Sequence, residues 1–205
     1  MNVKCYMGSC RARDSIRNRT VVELSATDWN APPIVELDDS GAELPLERQL
    51  ILVLRILRRA VSEGAELILL LEDDLIFNKY LRHNLEAWDP LKRLGREEHF
   101  FASLFNAGVT FNKFFPALAY GEADPKSVLG SQALLLTNAT ARYMVTYWGI
   151  EAAVHTDVKL RSLAARVCPL LYHVPSLVQH IGRESTWGGL FRCSSDFQLD
   201  WKANL

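Results

Sequence analysis

Leu67-Ile68-Leu69-Leu70-Leu71-Glu72-Asp73-Asp74-Leu75-Ile76-Phe77 is the stretch on which the fold turns. Glu66 to Leu71 reads as a continuous aliphatic run that stops abruptly at three carboxylates. A run that is apolar at every position, rather than at alternate ones, suits a strand buried on both faces of a parallel sheet. Three adjacent carboxylates at the end of such a strand repel one another unless something neutralises them. A hard divalent cation does this, and oxygen ligands suit Mg²⁺ or Mn²⁺. The plain alternative is an acidic turn that caps the next helix.

Working outward, Glu63-Gly64-Ala65 ends the preceding segment, Leu46 to Val61. There Leu50, Val53, Leu54, Leu57 and Val61 form one apolar stripe, and Glu47, Arg48, Arg55, Arg58 and Arg59 lie mostly off it. This predicts an amphipathic helix whose arginines make a solvated face. Towards the N-terminus, Lys4 to Met7 reads as a first strand, Ser15 to Ala26 as a helix and Ile34 to Leu37 as a second strand bounded by turns. Downstream, helices are expected at Asn78 to Ala87, Ala139 to Trp148 and Thr156 to Arg166, with strands at His99 to Phe105 and Ser131 to Leu136. Strands alternating with helices predict an α/β fold with a mostly parallel sheet, whose ligands gather beyond the carboxyl ends of its strands. No repeat or linker interrupts the chain, so residues 1–205 are expected to form a single domain.

Composition narrows the function classes. The 205 residues are 49% hydrophobic, enough for a sizeable core. With 23 basic against 24 acidic residues, no global field draws the chain to nucleic acid or anionic lipid. Its longest apolar run, Leu67 to Leu71, falls far short of the roughly 20 residues that span a bilayer, and the polar start lacks a signal-peptide core. A cytoplasmic location is therefore expected. Cys5, Cys10, Cys168 and Cys193 fit neither a zinc ribbon nor a disulfide framework and are expected to be free thiols. Asn18-Arg19-Thr20 and Asn138-Ala139-Thr140 match a glycosylation pattern by accident, and Asn138 is placed to cap a helix.

Glu72-Asp73-Asp74 after its hydrophobic strand resembles the D-x-D region of nucleotide-sugar glycosyltransferases with the GT-A fold. It is similar in particular to enzymes carrying Glu-Asp-Asp there, of the N-acetylglucosaminyltransferase IV type. The likeness extends to Arg19-Thr20 through Trp29, to Ile34–Asp39, to Gly130-Ser131-Gln132-Ala133, to His155-Thr156-Asp157, and to Pro175-Ser176-Leu177-Val178-Gln179-His180-Ile181-Gly182 with Ser185-Thr186-Trp187-Gly188. Glu72 departs from the first Asp of a strict D-x-D.

The resemblance implies a GT-A, Rossmann-like fold. It also implies metal-dependent transfer of a sugar from a nucleotide sugar, with a UDP-sugar the expected donor, to a hydroxyl on a glycan or other acceptor. It makes Asp74 and His180 the metal ligands, and places Glu72 near the ribose or a metal-bound water and Asp73 near the donor sugar. Gly130, Ser131 and Gln132 become an acceptor-side loop, and Asp157 the base of an inverting reaction. Asp157 also reads as a carboxylate favoured by a helix N-terminus. Asp38 and Asp39 are candidate nucleoside contacts, or simply the turn Asp38-Asp39-Ser40-Gly41. Trp187 belongs to an acceptor platform or mobile lid, or to a packed tail with a buried indole. His83, His99, His155 and His173 carry no such context. Two other readings remain open: a nucleotidyltransferase, for which Met7 to Arg13 is a poor phosphate loop, and a degenerate domain kept for binding.

Overall fold

The structure is a computed structural model and describes residues 2–95, 97–127, 130–183 and 191–204. The chain is a mixed α/β protein built on an eight-stranded sheet. In chain order its strands are β1 (Val3–Ser9), β2 (Ile34–Leu37), β3 (Leu67–Leu71), β5 (Phe101–Ser103), β6 (Phe111–Phe115), β7 (Tyr120–Ala123), β8 (Ala133–Thr137) and β9 (Leu170–His173). A separate two-stranded sheet joins β4 (Leu75–Phe77) to β10 (Val178–His180).

Spatial order in the large sheet is β2-β1-β3-β8-β5-β9-β7-β6. β1 is parallel to both β2 and β3, and β5 to β9, whereas β8 pairs antiparallel with β3 and β5, and β7 antiparallel with β9 and β6. Six strands therefore run one way and only β7 and β8 oppose them. The sheet is mostly parallel in direction, as the sequence predicts, with two reversals that periodicity does not reveal.

Helices cover both faces. They are α1 (Asp14–Ser25), α2 (Pro45–Ser62), α3 (Leu81–Ala87), α4 (Asp89–Lys92), α5 (Asn138–Tyr147) and α6 (Thr156–Ala164). Alternate residues of β3 serve two cores: Ile68 and Leu70 pack with α2, α5 and α6, while Leu67, Leu69 and Leu71 pack with Leu24, Leu81, Leu85 and Trp88. All five β3 residues are buried, which explains the unbroken aliphatic run.

The buried face of α2 is Leu52, Val53, Ile56, Leu57 and Ala60, while Leu50, Leu54 and Val61 are only partly buried. The predicted stripe is thus rotated, keeping Val53 and Leu57 and bringing in Leu52 and Ile56, which a side chain at Gly8 of β1 would meet at 3.2 and 3.4 Å. Three of the four α2 arginines are paired: Arg48 with Asp38, Arg55 with Glu36 and Asp39, and Arg59 with Glu36 and Glu63.

Three further expectations need correction. α3 starts at Leu81 rather than Asn78, because the Asn78 side chain instead accepts from Tyr80 N at 2.7 Å and donates to the Gln198 and Trp201 carbonyls. Thr137, not Asn138, caps α5, its hydroxyl accepting from Thr140 N. β4, β6, β7, β9 and β10 occupy segments to which the sequence assigned no strand. All four cysteines are free thiols. Among the described residues no helix is long and apolar enough to cross a membrane.

Candidate functional site

The acidic triplet connects β3 to β4 at the carboxyl end of the buried strand. Thr20 of α1, itself fully buried, fixes its backbone by donating to the Asp73 carbonyl at 2.8 Å and accepting from Leu75 N at 3.0 Å. β4 then pairs antiparallel with β10, which sets His180 opposite Leu75. Ile181 N donates to the Asp74 carbonyl at 2.9 Å and continues this pairing. Two residues 106 positions apart, Asp74 and His180, are so brought together, with His180 Nε2 3.1 Å from Asp74 Oδ2.

Glu72, Asp74 and His180 each offer a ligand atom, and these atoms lie within 4.8 Å of one another. Ligands on opposite sides of a small divalent cation stand about 4.2 Å apart, since each bond is about 2.1 Å. Sub-ångström side-chain movements would close the site. Two further observations fit a cation. Asp74 is 5% exposed, yet its Oδ1 is buried with no hydrogen-bond partner among the described residues, a costly condition that a cation relieves. His180 Nδ1 faces the Arg192 carbonyl at 3.1 Å. A carbonyl only accepts, so Nδ1 carries the proton to it and Nε2 is the nitrogen directed at Asp74. Two carboxylates and one imidazole form a donor set that suits a divalent cation. Gly182 is required for the same geometry, because a Cβ there would stand 1.9 Å from Asp74 Oδ2.

Electrostatics follow from crowding charge in a half-dry place. Burial first, then the neighbouring Asp74 charge, pushes the Glu72 carboxyl up to about 7, against a 2.7 Å hydrogen bond from Ser131 Oγ. Burial also lifts Asp73 above the ordinary carboxylate value, outweighing its partners Ser9 and Arg13. Burial pushes Asp74 the same way, but the His180 hydrogen bond and charge, together with Arg13, hold it below that value. Burial disfavours the imidazolium of His180, while its hydrogen bond to Asp74 and the Asp74 and Glu72 charges outweigh this and raise its pKa.

Two site residues escaped the sequence reading. Arg13 closes the single 3₁₀ turn Arg11–Arg13 after β1, its Nε donating to Asp73 Oδ1 at 2.7 Å and Nη2 to Asp74 Oδ2. Ser9 Oγ donates to Asp73 Oδ2. The Met7 to Arg13 segment, dismissed as a weak phosphate loop, therefore supplies the counter-charge of the acidic cluster. A lone Ser and Arg in a short loop have no spacing that announces this.

The Gly130–Gln132 loop links the cluster to Asp157. Glu72 N donates to the Gln132 carbonyl at 2.9 Å, Ser131 binds Glu72, and Gly130 N donates to Asp157 Oδ2 at 3.2 Å. Gly130 has φ +80°, and a Cβ there would strike Gln132 Oε1 at 2.0 Å, so only glycine turns the chain here. Asp157 Oδ1 accepts from Val158 N at 2.8 Å, the helix-terminal contact that the simpler reading of this residue expects.

Asp38 and Asp39 lie beside the carboxyl end of β1, with Asp38 N donating to the Ser9 carbonyl at 2.7 Å. The Asp38 carboxylate takes Ser40 Oγ at 2.8 Å and Arg48 Nε at 2.5 Å, and Asp39 takes Arg55. Both side chains thus meet protein partners, and Asp38 forms the predicted turn. Trp187, with Ser185, Thr186 and Gly188, lies outside the described residues.

No family model and no curated protein sequence matches the chain. Among solved structures, its fold is similar to that of A197 from STIV, at TM-score 0.54 and 11% identity over 89% of this chain and 86% of that one. It is similar also to a glycosyltransferase involved in the glycosylation of the major capsid of PBCV-1, at TM-score 0.54 and 10% identity, over 89% of this chain and 95% of that one. At such identities the likeness is one of fold.

Proposed function

We propose that the chain, as a single domain, is a metal-dependent glycosyltransferase that moves a sugar from a nucleoside-diphosphate sugar, a UDP-sugar in the first instance, to a hydroxyl of a glycan or other acceptor. The observation that carries this reading is the convergence of Glu72, Asp74 and His180 at the carboxyl end of a buried strand, with Asp74 Oδ1 left without a partner among the described residues. The fold, similar to that of a glycosyltransferase, supports it.

In this reading Asp74 and His180, with Glu72 beside them, hold Mn²⁺ or Mg²⁺. A cation bound there supplies positive charge against the departing nucleoside diphosphate. Asp73 faces the donor sugar and Glu72 the ribose or a metal-bound water. Asp38 and Asp39, held next to Ser9, line the nucleoside side. Gly130, Ser131 and Gln132 form the acceptor side. The acceptor oxygen attacks the anomeric carbon as the bond to the diphosphate breaks, a single displacement that inverts the anomeric centre, and the Asp157 carboxylate takes the hydroxyl proton. The hydrogen-bonded path from Glu72 through Ser131 and Gly130 to Asp157 supports this role, since it ties the proposed base to the metal cluster.

Donor hydrolysis by water tests the reading without an acceptor. Mn²⁺-dependent release of UDP from at least one of UDP-glucose, UDP-galactose and UDP-N-acetylglucosamine, lost in Asp74→Asn, is expected. Absence of release from every nucleotide sugar, with nucleotide still bound, would make this a binding domain.

A further inference from the structure

Arg13 is placed to do more than neutralise the acidic cluster. Its side chain is 13% exposed and its guanidinium forks across two carboxylates, with Nε on Asp73 Oδ1 at 2.7 Å and Nη2 on Asp74 Oδ2. The same Oδ2 is the atom that His180 Nε2 approaches to 3.1 Å. A cation bridging His180 and Asp74 through Oδ2 would share that oxygen with the guanidinium, and one seated on Oδ1 would face the guanidinium across the same carboxylate, in either case two positive groups close together in a site with little water to screen them. At the other end, Asp73 is gripped independently by Ser9 Oγ and by the Thr20 hydrogen bond to its carbonyl.

We infer that Arg13 and the divalent cation are alternative partners of the Asp74 carboxylate, and that the displaced guanidinium arm, still hinged on Asp73 through Nε, turns its Nη2 onto the diphosphate of the nucleotide. Arg13 is in this account the internal counter-ion of the empty site and a diphosphate ligand of the loaded one. The planar fork suits both tasks, since it matches carboxylate and phosphate oxygens alike. Cation and nucleotide then bind cooperatively, because each removes an obstacle to the other. The inference rests on the metal-dependent nucleotide site proposed above.

The test titrates Mn²⁺ alone, and then UDP at saturating Mn²⁺, into the full chain by calorimetry, using wild type, Arg13→Gln and Arg13→Lys. Arg13→Gln removes the competing charge and should bind Mn²⁺ at least about five-fold more tightly, the scale of an ion pair worth about 1 kcal/mol. It should also bind UDP at least about ten-fold more weakly, as expected when a charge-assisted hydrogen bond is lost. Arg13→Lys keeps the charge and should stay near wild type for Mn²⁺. Mn²⁺ affinity unchanged or weakened in Arg13→Gln overturns the exchange and leaves Arg13 as a clamp that orients Asp74. Tighter Mn²⁺ with unchanged UDP overturns the transfer to diphosphate. A wild type that binds no Mn²⁺ defeats the proposed function itself, a distinct outcome. Should Arg13→Gln not fold, the Arg13 side-chain ¹⁵N resonances of wild type decide: they must move on addition of Mg²⁺ alone, and an unmoved Arg13 beside bound Mg²⁺ refutes the exchange.

Discussion

Gly182→Ala is the sharpest probe of the site's geometry, because it adds one carbon and replaces no proposed ligand. The new Cβ would lie 1.9 Å from Asp74 Oδ2, 2.6 Å from Cγ and 2.9 Å from Cβ. Ordinary carbon contacts need about 3.5 Å, so the Asp74 carboxylate must move by more than about 1 Å. The left-handed backbone region is not involved at Gly182, so alanine adds no local strain. Overpacking of this kind costs about 1–3 kcal/mol, and at about 2–4 °C per kcal/mol for a chain of this size Tm should fall by about 2–12 °C. Metal ligation suffers more, since coordination tolerates only about 0.2 Å of misplacement. Differential scanning fluorimetry with and without Mn²⁺ reads both effects. Gly149→Ala is the control, because a Cβ there meets nothing within 4 Å, and it should leave stability within about 0.5 kcal/mol and the Mn²⁺ response intact. A Gly182→Ala protein with wild-type stability and an undiminished Mn²⁺ shift would refute the packing of Gly182 on Asp74 and the ligand role built on it.

Asp157→Asn preserves shape and removes the proposed base, so turnover should fall about 10²- to 10⁴-fold while UDP binding by calorimetry is unchanged; near-normal turnover would reduce Asp157 to a helix-terminal carboxylate. Glu72 holds its proton more tightly folded than unfolded, with its pKa raised from 4.5 to about 7. Its contribution to stability is therefore full below about pH 4.5 and lost as pH rises through about 7. The metal-free protein should lose Tm across that window, Glu72→Gln should lessen the decline, and the part that His180 contributes, with its pKa also raised, should survive. Parallel pH profiles for Glu72→Gln and wild type would contradict the placement of Glu72 beside Asp74.

What the sequence disclosed and what it hid divide along physical lines. The β3 run was legible because burial on both faces makes every position aliphatic, and the carboxylates that end it mark where the strand leaves the core. α2, α5 and α6 were legible because each shows an apolar face, although that of α2 is rotated from the predicted stripe, whereas α1 buries only Thr20 and Leu24. β4 and β10 have three residues each, too few for any period, so the small sheet that joins Asp74 to His180 could be suspected only through a family resemblance. β6 is an exposed edge strand reading Phe-Asn-Lys-Phe-Phe, without alternation between an inner and an outer face. Arg13 could not be read at all, since its role depends on a 60-residue separation that only the parallel pairing of β1 with β3 closes.

The claim that a divalent cation on Asp74 and His180 joins nucleotide to protein is tested most directly by the stabilisation that UDP confers with Mn²⁺ and with EDTA. At UDP one hundred times its Kd, linkage predicts about 2.7 kcal/mol, or about 5–11 °C in Tm for a chain of this length. That shift should be present with Mn²⁺ and nearly absent with EDTA, whereas equal shifts under both conditions would contradict the metal site and the function built on it.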